Sequence, residues 1–178
     1  MKYIVIKLSM LFARFGCAKA QFILGCCYDT GDGVEQSYSK AVKWFRRSAE
    51  GGNPHAQYNL GIMYERGQGT IPSFIEAEKW YTKAAEQGLA DAQYNLGAFY
   101  YHGKGSRQSY TKAVELYKKA AMQGNVNAQY MLALCYDEGT GIRQDKSNAC
   151  YWWKKAADQG NERAAIEYRK LMNATSLW

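Results

Sequence analysis

Two histidines (His55, His102) and five cysteines (Cys17, Cys26, Cys27, Cys135, Cys150) are the side chains of this chain best suited to acid–base, nucleophilic or metal chemistry. A nucleophile needs a base within reach, and a structural zinc site needs closely spaced ligand pairs. Neither pattern occurs. The sequence has no H-E-x-x-H, no G-x-S-x-G and no C-x-x-C, and its odd cysteine count argues against a disulfide framework. Buried thiols are the simpler reading. Four G-x-G triplets, Gly31-Asp32-Gly33, Gly67-Gln68-Gly69, Gly103-Lys104-Gly105 and Gly139-Thr140-Gly141, suggest phosphate binding at first sight. They lack a third glycine at the right spacing and follow helical patterns rather than strands, so they read as helix-ending turns. The expectation is a protein without catalytic residues, cofactor or metal.

Composition says what kind of elements carry these residues. Of 178 residues, 47% are apolar and 22% charged, which suits a folded protein and not a disordered one. Two prolines beside 17 glycines point to helices punctuated by turns. The net charge of +7, with a pI near 9.1, brings nucleic acid and anionic lipid into consideration as partners. The cations are dispersed, however, through stretches such as KAVKWFRRSAE and KAVELYKKAA, as on the solvated faces of amphipathic helices. A basic surface for nucleic acid or anionic membrane is therefore the alternative and not the leading reading.

The strongest signal is internal repetition. AQFILG, AQYNLG, AQYNLG and AQYMLA begin at Ala20, Ala56, Ala92 and Ala128, in steps of 36 residues without insertion. A strict period of this length implies a solenoid in which each unit buries its apolar face against its neighbours. Each unit reads as two helices. In the third, Ala92, Leu96, Phe99 and Tyr100 make one helical stripe that Gly103 ends. Ser37, Ser73, Ser109 and Asp145 cap the second helices, with Ser73 and Glu76 forming a capping box, and Gly52, Gly88, Gly124 and Gly160 close them. Asn53, Asn125 and Asn161 can cap the next first helix, with Pro54 at its first position. Mid-helix Gly25, Gly61 and Gly97 cost about 1 kcal/mol each relative to alanine, and the expected offset is close approach of Trp44, Trp80 or Leu116 on the paired helix. Each aromatic of the phrase (Phe22, Tyr58, Tyr94, Tyr130) is expected to pack on the neighbouring first helix.

The pattern A-x-A-Q-[YF]-x-L-G-x-x-Y, then G-x-G, then K-A-x-x-W-[YF]-x-K-A-A-x-x-G resembles the Sel-one-like repeat family, tetratricopeptide-like repeats with a longer interhelical loop. The resemblance covers about residues 17 to 161. It implies an all-α fold, a right-handed α/α superhelix, and a non-catalytic adaptor or scaffold role in protein–protein interaction, in many members bacterial. Cysteine-rich members carry a regular Cys pair per repeat; Ala85 and Ala121 stand in such places here.

By analogy with related solenoids, the face opposite the core stripe of each first helix lines a concave groove for a protein or peptide partner. The residues expected there are Tyr58, Asn59, Glu65, Arg66, Tyr94, Asn95, Tyr101, His102, Tyr130, Asp137 and Glu138. The aromatic rung is constant between repeats. The positions Asp29, Glu65, Tyr101, Asp137 and Thr30, Arg66, His102, Glu138 vary, as a recognition surface would.

The expected boundaries are a degenerate half-repeat helix over 1–16, repeats at 17–52, 53–88, 89–124 and 125–160, and a capping helix with tail over 161–178. Val5, Leu8, Ala13 and Gly16 stand 36 residues before Ala41, Trp44, Ala49 and Gly52, which favours a repeat helix over a signal peptide at the amino terminus. Lys7 and Arg14 interrupt the apolar run there, no stretch is long enough to span a bilayer, and the expected location is cytoplasmic, with export the alternative. Arg169 replaces the mid-helix glycine near the other end, as suits a terminal cap, and Trp178 is either a loose tail or an aromatic that docks on a partner.

Overall fold

A computed structural model of the chain describes residues 2–175, with side chains described over 6–173. The side chain of Val5 and all of Trp178 lie outside the described residues. Ten α-helices and no strand occur among the described residues: α1 (Lys2–Arg14), α2 (Ala18–Thr30), α3 (Tyr38–Glu50), α4 (Pro54–Arg66), α5 (Phe74–Glu86), α6 (Ala90–His102), α7 (Tyr110–Met122), α8 (Val126–Glu138), α9 (Lys146–Asp158) and α10 (Glu162–Thr175). They fall into two units, Met1–Ala92 and Gln93–Trp178. Within the first, α2 packs on α3 and α4 on α5 as hairpins, α3 packs on α4, and α1 packs on α2. Within the second, α8 packs on α7 and α9, and α10 on α9.

The helix ends follow from local chemistry. Each of Ser37, Ser73, Ser109 and Asp145 accepts a hydrogen bond from the backbone N–H three residues on, satisfying a donor the helix cannot. Asn53 does the same for His55 and Ala56, Asn125 for Ala128, and Asn161 for Ala164. Side chains also close the opposite ends. Gln36, Gln108 and Gln144 donate through Nε2 to the Asp29, Tyr101 and Asp137 carbonyls at 2.6, 2.7 and 2.6 Å.

The triplet glycines are turns, and they are also contacts. Gly67 ends α4 in the left-handed region (φ +69°), and Gly69 repeats that conformation. A Cβ on Gly69 would stand 2.3 Å from the Tyr38 carbonyl carbon, so the loop rests directly on the start of the preceding second helix. Gly141 approaches Tyr110 in the same way, at 2.5 Å.

The mid-helix glycines have a different partner from the one their spacing suggested. A Cβ on Gly25 would meet the Phe45 ring at 2.4 Å, on Gly61 the Tyr81 ring at 2.7 Å, and on Gly97 the Tyr117 ring at 2.8 Å. Trp44, Trp80 and Leu116 each sit one residue earlier. The reason is helical phase: Ala41, Phe45 and Ala49 stand at i, i+4 and i+8, and all three are buried. One residue back, Trp44 and Leu116 are only half-buried, although Trp80 is covered. In the fourth repeat Ala133 replaces the glycine and faces a cluster containing Trp153, Ala149 and Ala156.

A buried glutamine joins successive hairpins. Gln21, Gln57, Gln93 and Gln129 retain only 7%, 4%, 5% and 3% exposure. Gln21 donates to the Ala13 carbonyl, Gln57 to Ala49 and Gln129 to Ala121, at 3.1, 3.1 and 3.2 Å. Their own carbonyl oxygens are used too: Gln87 donates to Gln57 at 2.7 Å, Gln123 to Gln93 at 2.8 Å and Gln159 to Gln129 at 2.8 Å. In α1 the buried side is Ile6, Ser9 and Ala13, while Leu8 of the expected stripe is 49% exposed.

Two substitutions test these contacts by urea denaturation. Gly61→Ala gains about 1 kcal/mol in helix propensity but overpacks against the fully buried Tyr81 ring, at a cost of about 1–3 kcal/mol, so the net change is destabilising. Gln57→Leu removes the bond to the Ala49 carbonyl, which keeps the Gly52 N–H, and the bond from the exposed Gln87 amide, and lowers stability by about 1 kcal/mol.

Candidate functional site

The aromatic of each AQ[YF] phrase turns toward a ring of the second helix in its own repeat. Phe22 lies 5.9 Å from Phe45 and Tyr58 5.9 Å from Tyr81 in the first unit, and Tyr94 lies 6.0 Å from Tyr117 in the second. Tyr130 packs against the cluster that holds Trp153. The ring of the repeat's own second helix is thus a partner beyond the neighbouring first helix that the sequence predicts. That expected packing is seen at Phe22, whose partner His55 belongs to α4. The mid-helix glycine draws the second helix close, and its ring then becomes the nearest aromatic surface. Phe22 additionally meets His55 at 6.0 Å. All four residues are half-buried, so they form the floor of the candidate surface.

In the first unit the variable positions gather at a cavity of about 230 Å³ lined by Asp29, Tyr38, Phe45, Asn59, Ile62, Met63, Arg66 and Gln68. Asn59 and Arg66 were expected contacts. Tyr38 and Gln68 come from the second helix and the G-x-G loop, and no periodicity along a first helix could point to them. Burial pushes the Asp29 carboxyl up from its usual range, and the nearby Arg66 guanidinium opposes that shift. Carboxylate, guanidinium, amide and phenol thus edge one concavity, which can accept a polar side chain in a defined orientation. Glu65 is differently engaged: its carboxylate accepts the Tyr81 hydroxyl at 2.9 Å.

The second unit places different chemistry at the corresponding positions. Two 36-residue steps carry Asp29 to Tyr101, Tyr38 to Tyr110, Phe45 to Tyr117, Met63 to Cys135 and Arg66 to Glu138. Tyr101 meets His102 and Tyr110 edge-on, both at 5.1 Å, and Tyr117 at 6.4 Å. Burial, with Cys135 and Glu138 nearby, raises the Tyr101 phenol above its usual range, and burial raises Tyr94 too. Tyr117 is raised chiefly by burial, and its hydroxyl has no hydrogen-bond partner among the described residues. Asn95 is half-buried on the same helix. Asp137 is ion-paired with Lys146 at 2.6 Å, and Glu138 accepts the Thr140 hydroxyl at 3.2 Å. The structure therefore brings Asn59 and Arg66 together in one concavity and Tyr94 and Tyr101 around Tyr117, and engages Glu65 and Asp137 in bonds within the chain.

Cations of the second helices lie over aromatic rings: Lys83 is 4.4 Å from the Trp80 ring centre, and Arg47 5.0 Å from Trp44. Part of the basic charge is thus used in intramolecular cation–π contacts. Among the described residues no group of three His, Cys, Asp or Glu side chains is gathered as for a metal ion.

Helical hairpins joined at fixed intervals by the same contacts, with no strand among the described residues, define an all-α repeat scaffold. A family model for the Sel1 repeat matches residues 18–53, 54–89, 90–125 and 126–161, and the chain belongs to that family. Its repeats commonly mediate protein–protein interaction. No curated protein matches the chain. Among solved structures, a protective antigen of uropathogenic Escherichia coli with an SLR fold is 37% identical with a TM-score of 0.87, over 89% of this chain and 34% of its own. A Sel1 repeat protein from Oxalobacter formigenes is also 37% identical, with a TM-score of 0.85, over 93% of this chain and 66% of its own. Cysteine-rich protein B of Helicobacter pylori shares the fold at 22% identity and a TM-score of 0.59, over 76% of this chain and 97% of its own. The chain thus spans 34% and 66% of the first two relatives.

Cys135 gives the second unit a pH signature. It is fully buried, and burial pushes its thiol from 9.0 up to about 12. A folded-state pKa above the unfolded one leaves stability intact below pH 9 and removes it as pH rises toward 12. Denaturation midpoints should fall over that window, and Cys135→Ala should flatten the fall relative to wild type.

Proposed function

We propose that the protein is a non-catalytic adaptor whose first helices present a concave surface to a segment of a protein partner. The observation that carries this reading is the cavity of about 230 Å³ in the first unit, edged by Asp29, Asn59 and Arg66 over an aromatic floor. Asn59 is half-buried, and its amide has no hydrogen bond among the described residues. A half-buried amide beside a charged pair is poised to bond a partner's backbone or polar side chain while the rings supply apolar contact. In the second unit Asn95, Tyr101, His102 and Glu138 offer a phenol-rich counterpart, suited to different residues of the partner. Variation between repeats in these positions, against constancy in the packing residues, supports recognition as their role. The relatives' family role in protein–protein interaction is consistent with this assignment.

The test is selection of binding peptides from a displayed library on the wild-type chain, followed by titration of variants. Asn59→Ala and Arg66→Glu should weaken the selected peptides at least about tenfold, as loss of a centrally placed polar contact does, with the helical circular dichroism and denaturation midpoint unchanged. Peptides whose affinity is indifferent to both substitutions would overturn the concave-face reading.

A further inference from the structure

The first helix differs from every other second-position helix in its outward chemistry. Leu8, Leu11, Phe12 and Phe15, at i, i+3, i+4 and i+7, are 49%, 50%, 53% and 81% exposed, while Ile6, Ser9 and Ala13 on the opposite side are buried. Where α1 has Leu11, the later repeats have Arg47, Lys83, Lys119 and Lys155. Where it has Phe12, they have Ser48, Ala84, Ala120 and Ala156, all of them buried.

Another repeat helix is a poor occupant for this face. On α3 the corresponding side is closely packed: the Ser48 hydroxyl donates to the Ala18 carbonyl at 2.6 Å, and a Cβ on Gly51 would stand 3.1 Å from that of Ala18. Phe12 and Phe15 occupy the places of Ser48 and Gly51, and two phenyl rings hold a neighbouring helix away from that spacing. A deformable apolar medium has no such restriction.

Charge indicates which medium. The first acidic residue of the chain is Asp29, and the preceding residues include Lys2, Lys7, Arg14 and Lys19. Lys7 and Arg14 are exposed and, seven positions apart on a helix, stand in a row along one edge of the apolar face. An exposed stripe of Leu and Phe bordered by cations is the pattern of a helix lying in a lipid interface, with its apolar side chains among the acyl chains and its cations at the phosphates. No helix of the described residues is long and apolar enough to cross a membrane.

We propose that α1 is an interfacial helix that holds the protein to anionic lipid surfaces through Leu8, Leu11, Phe12 and Phe15, with Lys7 and Arg14 at the headgroups. This is a second binding surface, separate from the concave one.

The test is flotation of the full chain with vesicles of phosphatidylglycerol and phosphatidylcholine against vesicles of phosphatidylcholine alone. The protein should float with the anionic vesicles, remain behind with the neutral ones, and dissociate as salt is raised. The double substitution Phe12→Ser, Phe15→Ser and the single substitution Arg14→Glu should each lower the bound fraction, the former by at least about tenfold. Both changes lie at exposed positions, and an unchanged circular dichroism spectrum shows the fold retained. Absence of flotation, or flotation that the serine pair leaves intact, overturns the proposal. So does a concentration-dependent oligomer seen by light scattering that the serine pair abolishes without vesicle binding, since the face would then belong to a second copy of the chain.

Discussion

One buried amide side chain carries the connection from hairpin to hairpin. In the first unit Gln57 bonds the last turn of α3 through Ala49 and receives Gln87 from the end of α5, so three helices meet at a single side chain. An amide suits this place because it donates and accepts at once. A charged group there would need a fixed counter-ion, and an apolar one would give up both bonds, leaving the carbonyl to its backbone N–H partner. The bond from Gln21 to Ala13 repeats the arrangement at α1, and that from Gln129 to Ala121 repeats it in the second unit. Register is therefore set by polar satisfaction as well as by hydrophobic burial.

Around that connection the packing is a matter of complementary size. Glycine on the first helix admits a large ring from the second, and the ring in turn supports the aromatic one turn earlier on the first helix. Gly61, Tyr81 and Tyr58 make one such set, and Gly97, Tyr117 and Tyr94 another. The candidate surface stands on these sets. Side chains at its rim are free to vary because they take little part in packing, whereas the rings beneath cannot change without moving a helix. Glu65 shows how the two layers can overlap, since its carboxylate is held by the Tyr81 hydroxyl.

Much of this was legible in the chain before any coordinates. Caps, turns and the two-helix unit follow from residue types at short spacing, so Ser37, Asn53 and Gly67 could be assigned locally. The exchange of Trp44 for Phe45 as the glycine's partner was less accessible. Neighbouring aromatics on a helix are 100° apart, and composition alone does not say which of two large rings points at a helix that the sequence does not position. Tyr38 and Gln68 escaped for a related reason. They reach the first-unit cavity from a different helix and a loop, and a search along one helical face excludes both.

By itself the sequence determined the period, the helix boundaries and the chemical identity of the repeated phrase, because these depend on contacts between residues close in the chain. Tertiary structure decided what each letter of that phrase touches. The glutamine of AQYNLG carries no local signal of its role, and packing makes it a buried side chain that both donates and accepts a hydrogen bond. Asn59 and Arg66 became a site only when Tyr38 and Gln68 closed the space around them. The physical reason is the same in both cases: burial and convergence are set by where other helices stand, and that placement is a sum over many distant contacts.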